Sequence, residues 1–206
     1  MSVFRITAAA AAVILWAAPT SAADQTGNYA TRGAGNTRCS DFTQARKDSA
    51  ERYANYGGWI DGFLSGVNLF EDDTFDIAPW QSTNLLAAAL GRYCGNNPTL
   101  AFHIAVSRLV MQLGDTRLLT NSKLQVHSGK GKQSEVQIAV YDAIIRRAQE
   151  RLKGLGLLKG ETNSDLSETM RKALVAFQKR EKLEQSGLPD QATLLVLLAP
   201  MDGGNN

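Results

Sequence analysis

The sequence predicts an all-α protein made of two small helical domains, the first closed by a disulfide and the second a bundle of three short helices. Three observations lead there. Apolar residues recur at three- and four-residue steps in segment after segment, and no strand-rich segment stands out. The chain has two cysteines, Cys39 and Cys94, which bracket the first group of helices. A polar stretch ending in Ser128-Gly129-Lys130-Gly131-Lys132 separates that group from the second. The expected layout is a leader over 1–23, a disulfide-closed domain over 38–114, a linker over 115–134 and a three-helix domain over 135–199. The tail from Pro200 to Asn206 is expected to be disordered.

The leader has one basic residue (Arg5), an apolar run from Ala8 to Ala18 and a small-residue end at Ser21-Ala22-Ala23. That is the pattern of a cleaved secretory signal, with a run too short to span a bilayer. No Cys follows the cleavage site, so lipid attachment is not expected. The protein is therefore expected in the periplasm, with no membrane span once the signal is removed. The whole chain carries a net charge of +2, and losing Arg5 leaves +1. A near-neutral chain lacks the electrostatic footprint of a nucleic-acid binder.

Asp24 to Thr37 is rich in Gly, Asn and Thr and reads as a loose leader to the first domain. Two cysteines in an exported chain usually pair, and a Cys39–Cys94 bridge would stabilise by ~4 kcal/mol on the chain-entropy model. Two buried free thiols are the alternative. The first helix is expected over about 41–55. The second, about 58–70, holds Gly58, Gly62 and Gly66 four apart, a bare stripe that suggests another helix packed closely against it. Trp59, Phe63 and Phe70 give this helix its bulk, and Asp61 lies among apolar neighbours. The acidic loop Glu71–Asp76 lacks the alternation of a calcium site. A third helix, about 83–93, follows Ser82 as N-cap. A fourth starts with Asn97 as N-cap and Pro98 in the first turn, and Gly114 closes it.

Asp115 to Gln133 has little period and reads as a linker, with apolar Leu118, Leu119, Leu124 and Val126 that could pack its middle. Ser134 and Gln137 have capping-box spacing, which predicts a helix over 135–153. Its apolar positions run through Ile138, Tyr141, Ile145, Ala148 and Leu152. Met170, Ala173, Leu174 and Phe177 mark the next helix. Ala192, Leu195, Val196 and Leu198, entered through Leu188-Pro189-Asp190, mark the last.

The spelling of this last stretch says more than its period. Ala148-Gln149, Leu152, Leu155-Gly156-Leu157, Gly160, Ala173, Phe177-Gln178, Leu183, Gly187, Asp190 and Thr193 follow at set spacings. The series resembles the three-helix peptidoglycan-binding domain found on many bacterial wall enzymes. It departs from the family at Asn163-Ser164, where Asp-Gly is usual, at Leu166-Ser167, where Phe-Gly is usual, and at Met170, where Thr is usual. The resemblance implies a wall ligand bound in a groove between helices. Arg146, Gln149, Arg171 and Gln178 are the polar residues of this region that could face it. Gln149 and Gln178 could equally serve inside the domain. In the first domain, Cys39, Asp41, Phe42 and Cys94 stand in a setting that resembles HdeA-type periplasmic acid-stress chaperones, and the helical layout is also similar to type VI immunity proteins.

Catalytic signatures are missing. The two histidines, His103 and His127, are not clustered with other metal ligands, and no nucleophile elbow, SxxK element or phosphate loop occurs. The sequence leaves open whether two acids meet in space for glycan cleavage. The expected function is non-catalytic, with no cofactor and no metal: binding of peptidoglycan by the second domain and of a periplasmic protein partner by the first. The alternative is an acid-stress chaperone or immunity-type protein acting through protein contacts.

Overall fold

The computed structural model describes residues 24, 26, 28–130, 135–160 and 162–198, without the side chains of Lys130, Glu135 and Val136. The expected signal over 1–23, the Ser134 cap and the tail 200–206 lie outside the described residues. The chain divides into two units, 1–31 and a compact 32–206. In the first, the Asp24 carboxylate accepts from the Thr26 and Asn28 backbone N–H groups and from the Thr26 hydroxyl.

In the second unit the described residues form seven α-helices and one hairpin: α1 (Cys39–Asp48), α2 (Ala50–Phe70), α3 (Thr83–Asn96), α4 (Phe102–Leu113), β1 (Leu124–Lys130), β2 (Glu135–Tyr141), α5 (Asp142–Gly154), α6 (Glu168–Arg180) and α7 (Gln191–Leu197). The fold is thus mostly helical, and the all-α expectation is corrected by a two-stranded antiparallel sheet in which Leu124 faces Tyr141 and Lys130 faces Glu135. The segment expected to start a long helix at 135 is a strand to Tyr141, and the helix begins at Asp142. The expected linker contains the strand β1, and of the four apolar residues that could pack its middle Leu118 is buried while Leu119, Leu124 and Val126 are exposed.

Buried apolar residues gather in two clusters. The first joins α1 to α4 around Phe42, Ile60, Leu90, Phe102 and the Cys39–Cys94 disulfide. Phe42 lies 4.8 Å from Phe102 and 5.1 Å from Tyr56 between ring centroids, in tilted and edge-on contacts that favour aromatic pairs. Backbone bonds from Cys39 N to Leu100 O and from Phe102 N to Thr37 O stitch the chain around the bridge. Helices α1 and α2 break at Ser49, whose hydroxyl accepts from Arg52 N and caps α2. Ser82 caps α3 as expected. Asn97 instead ends α3, Pro98 and Thr99 form a turn closed by Leu100 N to Asn97 O, and α4 starts at Phe102. The glycine stripe is also corrected: a Cβ on Gly58, Gly62 or Gly66 would meet nothing within 4 Å. The stripe faces open space because the core side of α2 is Tyr56, Ile60 and Leu64. Asp61 is exposed and accepts from the Thr83 hydroxyl at 2.7 Å.

The second cluster packs α5, α6 and α7 around Ile144, Ile145, Leu152, Met170, Leu174 and Phe177. The α7 face differs by one step from the expected one. Thr193, Leu194 and Leu197 are buried while Leu195 and Val196 are 48% and 40% exposed. Polar bonds join the two clusters. Leu118 N donates to Asp76 O, and Leu118 O accepts from Phe75 N. Ser82 N donates to Gln191 Oε1, and Gln191 Nε2 donates to Trp80 O. Arg147 donates to the carbonyls of Thr116 and Arg117. Burial, with Glu150 opposing it, moves the Arg147 guanidinium below its ordinary value.

Candidate wall-binding site

Two buried glutamines hold the shape of the loops between the last three helices. Gln149 on α5 accepts from Asn163 N (3.0 Å) and Ser164 N (3.2 Å) and donates to Asp165 O (2.9 Å) and Asn163 Oδ1 (3.3 Å). Gln178 on α6 accepts from Gly187 N (2.9 Å) and donates to Leu188 O, Ser186 Oγ and Thr193 Oγ1. Asp190 extends this network: one carboxylate oxygen caps α7 through Thr193 N and the Thr193 hydroxyl, and the other accepts from Ser186 Oγ. An amide side chain suits the task, since it offers both donors and acceptors to backbone groups that would otherwise be buried unpaired. Gly187, with φ +66°, turns the chain where a side chain would be strained.

The glutamines are therefore positioned within the domain, 3% and 0% exposed, while the two arginines lie at its surface. Arg146 is exposed and donates from Nε and Nη2 to Ser164 Oγ. Arg171, half-buried on α6, donates to Ser128 O of the hairpin at 3.1 Å. The structure does not gather the four residues at one point. Each glutamine holds its own loop, and Arg146 and Arg171 reach different elements.

The hairpin sits close on this domain. A Cβ on Gly129 would lie 2.7 Å from Leu188 Cγ and 3.0 Å from Ser186 O, so glycine permits the approach. Beside it, His127 has a buried Nε2 with no hydrogen-bond partner. Desolvation, then the nearby Arg171, holds this imidazole below its usual value, with Asp165 and Asp142 opposing. Tyr141, at the β2–α5 junction, is moved above its usual value by burial and by Asp76, with which it also hydrogen-bonds.

A polar groove of about 610 Å³ runs between the 118–123 segment and the start of α5, lined by Lys123, Asp142, Arg146, Arg147 and Glu150 among others. Of these, Arg146 was expected from sequence. Lys123 and Arg147 were not, because the segment before the hairpin carries no periodic signal that would place it against α5. A second, apolar groove of about 430 Å³ lies between α2 and α4, lined by Phe63, Val67, Ile77 and Val110. Met111, which also lines it, is 72% exposed, and Leu69 and Phe70 at the end of α2 are 74% and 83% exposed. His103, on α4, sits with Nδ1 3.1 Å from Gly35 O. Among the described residues no three His, Cys, Asp or Glu side chains could hold a metal ion, and no helix is long and apolar enough to cross a membrane.

No curated protein and no solved structure matches the chain. Residues 142–197, which comprise α5, α6, α7 and the loops that Gln149 and Gln178 hold, match the family described as "Putative peptidoglycan binding domain", in agreement with the resemblance read from their sequence.

Proposed function

We propose that this is an exported, non-catalytic protein that binds peptidoglycan through its last three helices and presents its first helical domain to a protein partner in the periplasm. The family match over 142–197 carries this reading. The Cys39–Cys94 disulfide supports a location outside the cytoplasm, since such bonds persist in oxidising compartments. On the wall-binding side, Arg146 and Arg171 supply surface cations beside loops that Gln149 and Gln178 keep in place. On the other side, the apolar groove between α2 and α4, which the exposed Met111 helps to line, is the kind of surface that marks contact sites, and Leu69 and Phe70 are further large apolar side chains left exposed at the end of α2. Co-sedimentation of the full chain with purified sacculi at low salt tests the reading. The chain is expected in the pellet, and a chain that stays wholly in the supernatant refutes wall binding.

The same exposed apolar side chains favour a second reading, an acid-stress chaperone acting through protein contacts. Suppression of client aggregation at pH 2–3 is its expected result, and no protection of an acid-denatured client removes it.

A further inference from the structure

We infer that the groove between the 118–123 segment and α5 is a subsite for the carboxylate-bearing peptide part of the wall polymer. This rests on the wall-binding reading and names the piece of the polymer that is gripped, using residues that lie partly outside the matched 142–197.

The groove is built on a firm wall. Ser122 Oγ accepts from Ala143 N and Lys123 O accepts from Asp142 N, so the segment is docked on the first turn of α5. Arg147 secures the segment's other end through the carbonyls of Thr116 and Arg117. At about 610 Å³, the groove falls within the size range of small-ligand sites, enough for a few peptide units.

Its charge selects the ligand. Lys123, Arg146 and Arg147 outnumber Asp142 and Glu150 by one, and the N-terminal end of α5 adds partial positive charge. Among the described residues the ion pairs within 4 Å are Lys172–Glu168 and Arg180–Glu181, both outside the groove. Among the described residues, then, no carboxylate lies in direct ion-pair contact with Lys123, Arg146 or Arg147. Lys123 is exposed, and Arg146 uses Nε and Nη2 on Ser164, leaving Nη1 without a protein partner among those residues. Two such cations can share one carboxylate through charge-assisted bonds, the stronger class of hydrogen bond. Uncharged glycan offers hydroxyls and amides but nothing to match this charge, whereas a wall peptide offers carboxylates spaced by amides, with amines for Asp142 and Glu150. The ligand class is therefore an acidic or zwitterionic peptide rather than sugar.

The test uses the full chain, purified sacculi, and the same sacculi with their carboxylates converted to amides by carbodiimide coupling. Wild type is expected to bind native sacculi and to lose about tenfold in affinity for amidated ones, the effect of one charge-assisted bond. Lys123→Glu and, separately, Arg146→Gln are expected to weaken binding to native sacculi by a similar factor and to discriminate less between the two preparations. Lys47→Glu, the same charge change on exposed α1, is the control and is expected to bind as wild type does. Equal binding of wild type to both preparations overturns the proposal, as does full binding by Lys123→Glu and Arg146→Gln, or equal weakening by Lys47→Glu. In those cases wall binding itself stands. Failure of wild type to bind native sacculi removes both readings.

Discussion

Replacing Gln178 by Leu tests whether the second cluster depends on its polar centre as the structure implies. The side chain is 0% exposed and of similar size to leucine, so the change leaves little cavity but removes every bond the amide makes. The Ser186 and Thr193 hydroxyls keep Asp190 as a partner. Gly187 N and Leu188 O, both in buried residues, lose theirs. Each orphaned buried group costs about 1–3 kcal/mol, so the pair amounts to roughly 4 kcal/mol, a large part of the 5–15 kcal/mol typical of a folded protein. For a chain of this size that corresponds to a fall in Tm of about 8–16 °C. Thermal melting followed by circular dichroism measures it, with Gln112→Leu on exposed α4 as a surface control expected to shift stability by no more than about 0.5 kcal/mol. A Gln178→Leu protein that melts within about 2 °C of wild type would refute the reasoning, since the loop would then be held by something other than the amide.

Two further predictions concern the disulfide and His127. Reducing Cys39–Cys94, which closes a sequence separation of 55 residues, should cost ~4 kcal/mol. Hydrogen exchange should show amides of 39–113 losing protection while those of α5 to α7 keep theirs, and unchanged exchange across 39–113 would show that the bridge contributes nothing. His127 is held below its ordinary value, chiefly by desolvation and then by Arg171, so the unfolded chain takes up the proton more readily than the folded one. Stability is therefore complete above the unfolded value of about 6.5 and falls as pH drops through it toward the lower folded value. Melting between pH 7.5 and 5 should decline more steeply for wild type than for His127→Gln, and parallel profiles would contradict the assignment.

Much of the second cluster was legible because α5 and α6 alternate apolar and polar residues at helical spacing, so Ile144, Ile145, Ala148, Leu152, Met170, Leu174 and Phe177 identify their own faces. In α7 the run Leu194-Leu195-Val196-Leu197-Leu198 has no polar residue to mark a side. Its face is set instead by the Asp190 cap, which brings Thr193 inward. The strand at 135–141 carried a period-two signal in Val136, Ile138 and Val140, but Ser134 and Gln137 have helix-start spacing and the two patterns compete. Asn97-Pro98 is ambiguous in the same way, because residues that open a helix also close one and turn the chain. Of the candidate ligand residues, sequence identified Arg146 but gave no access to the groove, whose other wall is a segment brought to α5 by Arg147 and Ser122. Such contacts depend on tertiary position rather than on local spacing.

Ser164 shows how this loop tolerates change. Its φ of +63° is a left-handed conformation that costs a non-glycine residue about 1–2 kcal/mol, which accounts for the glycine usual at this place in the peptidoglycan-binding family. Here serine takes the conformation and in return accepts two bonds from Arg146. Leu166, where Phe is usual, is buried in the cluster, and Ser167, where Gly is usual, caps α6 through Met170 N. Gln149 grips the loop mainly by main-chain groups, the N–H of 163 and 164 and the carbonyl of 165, so it does not depend on the side chain at Ser164 or Asp165. A loop held by its backbone is free to vary in surface chemistry while keeping its course. The bundle can thus change the side chains its loops present without first having to find a new fold.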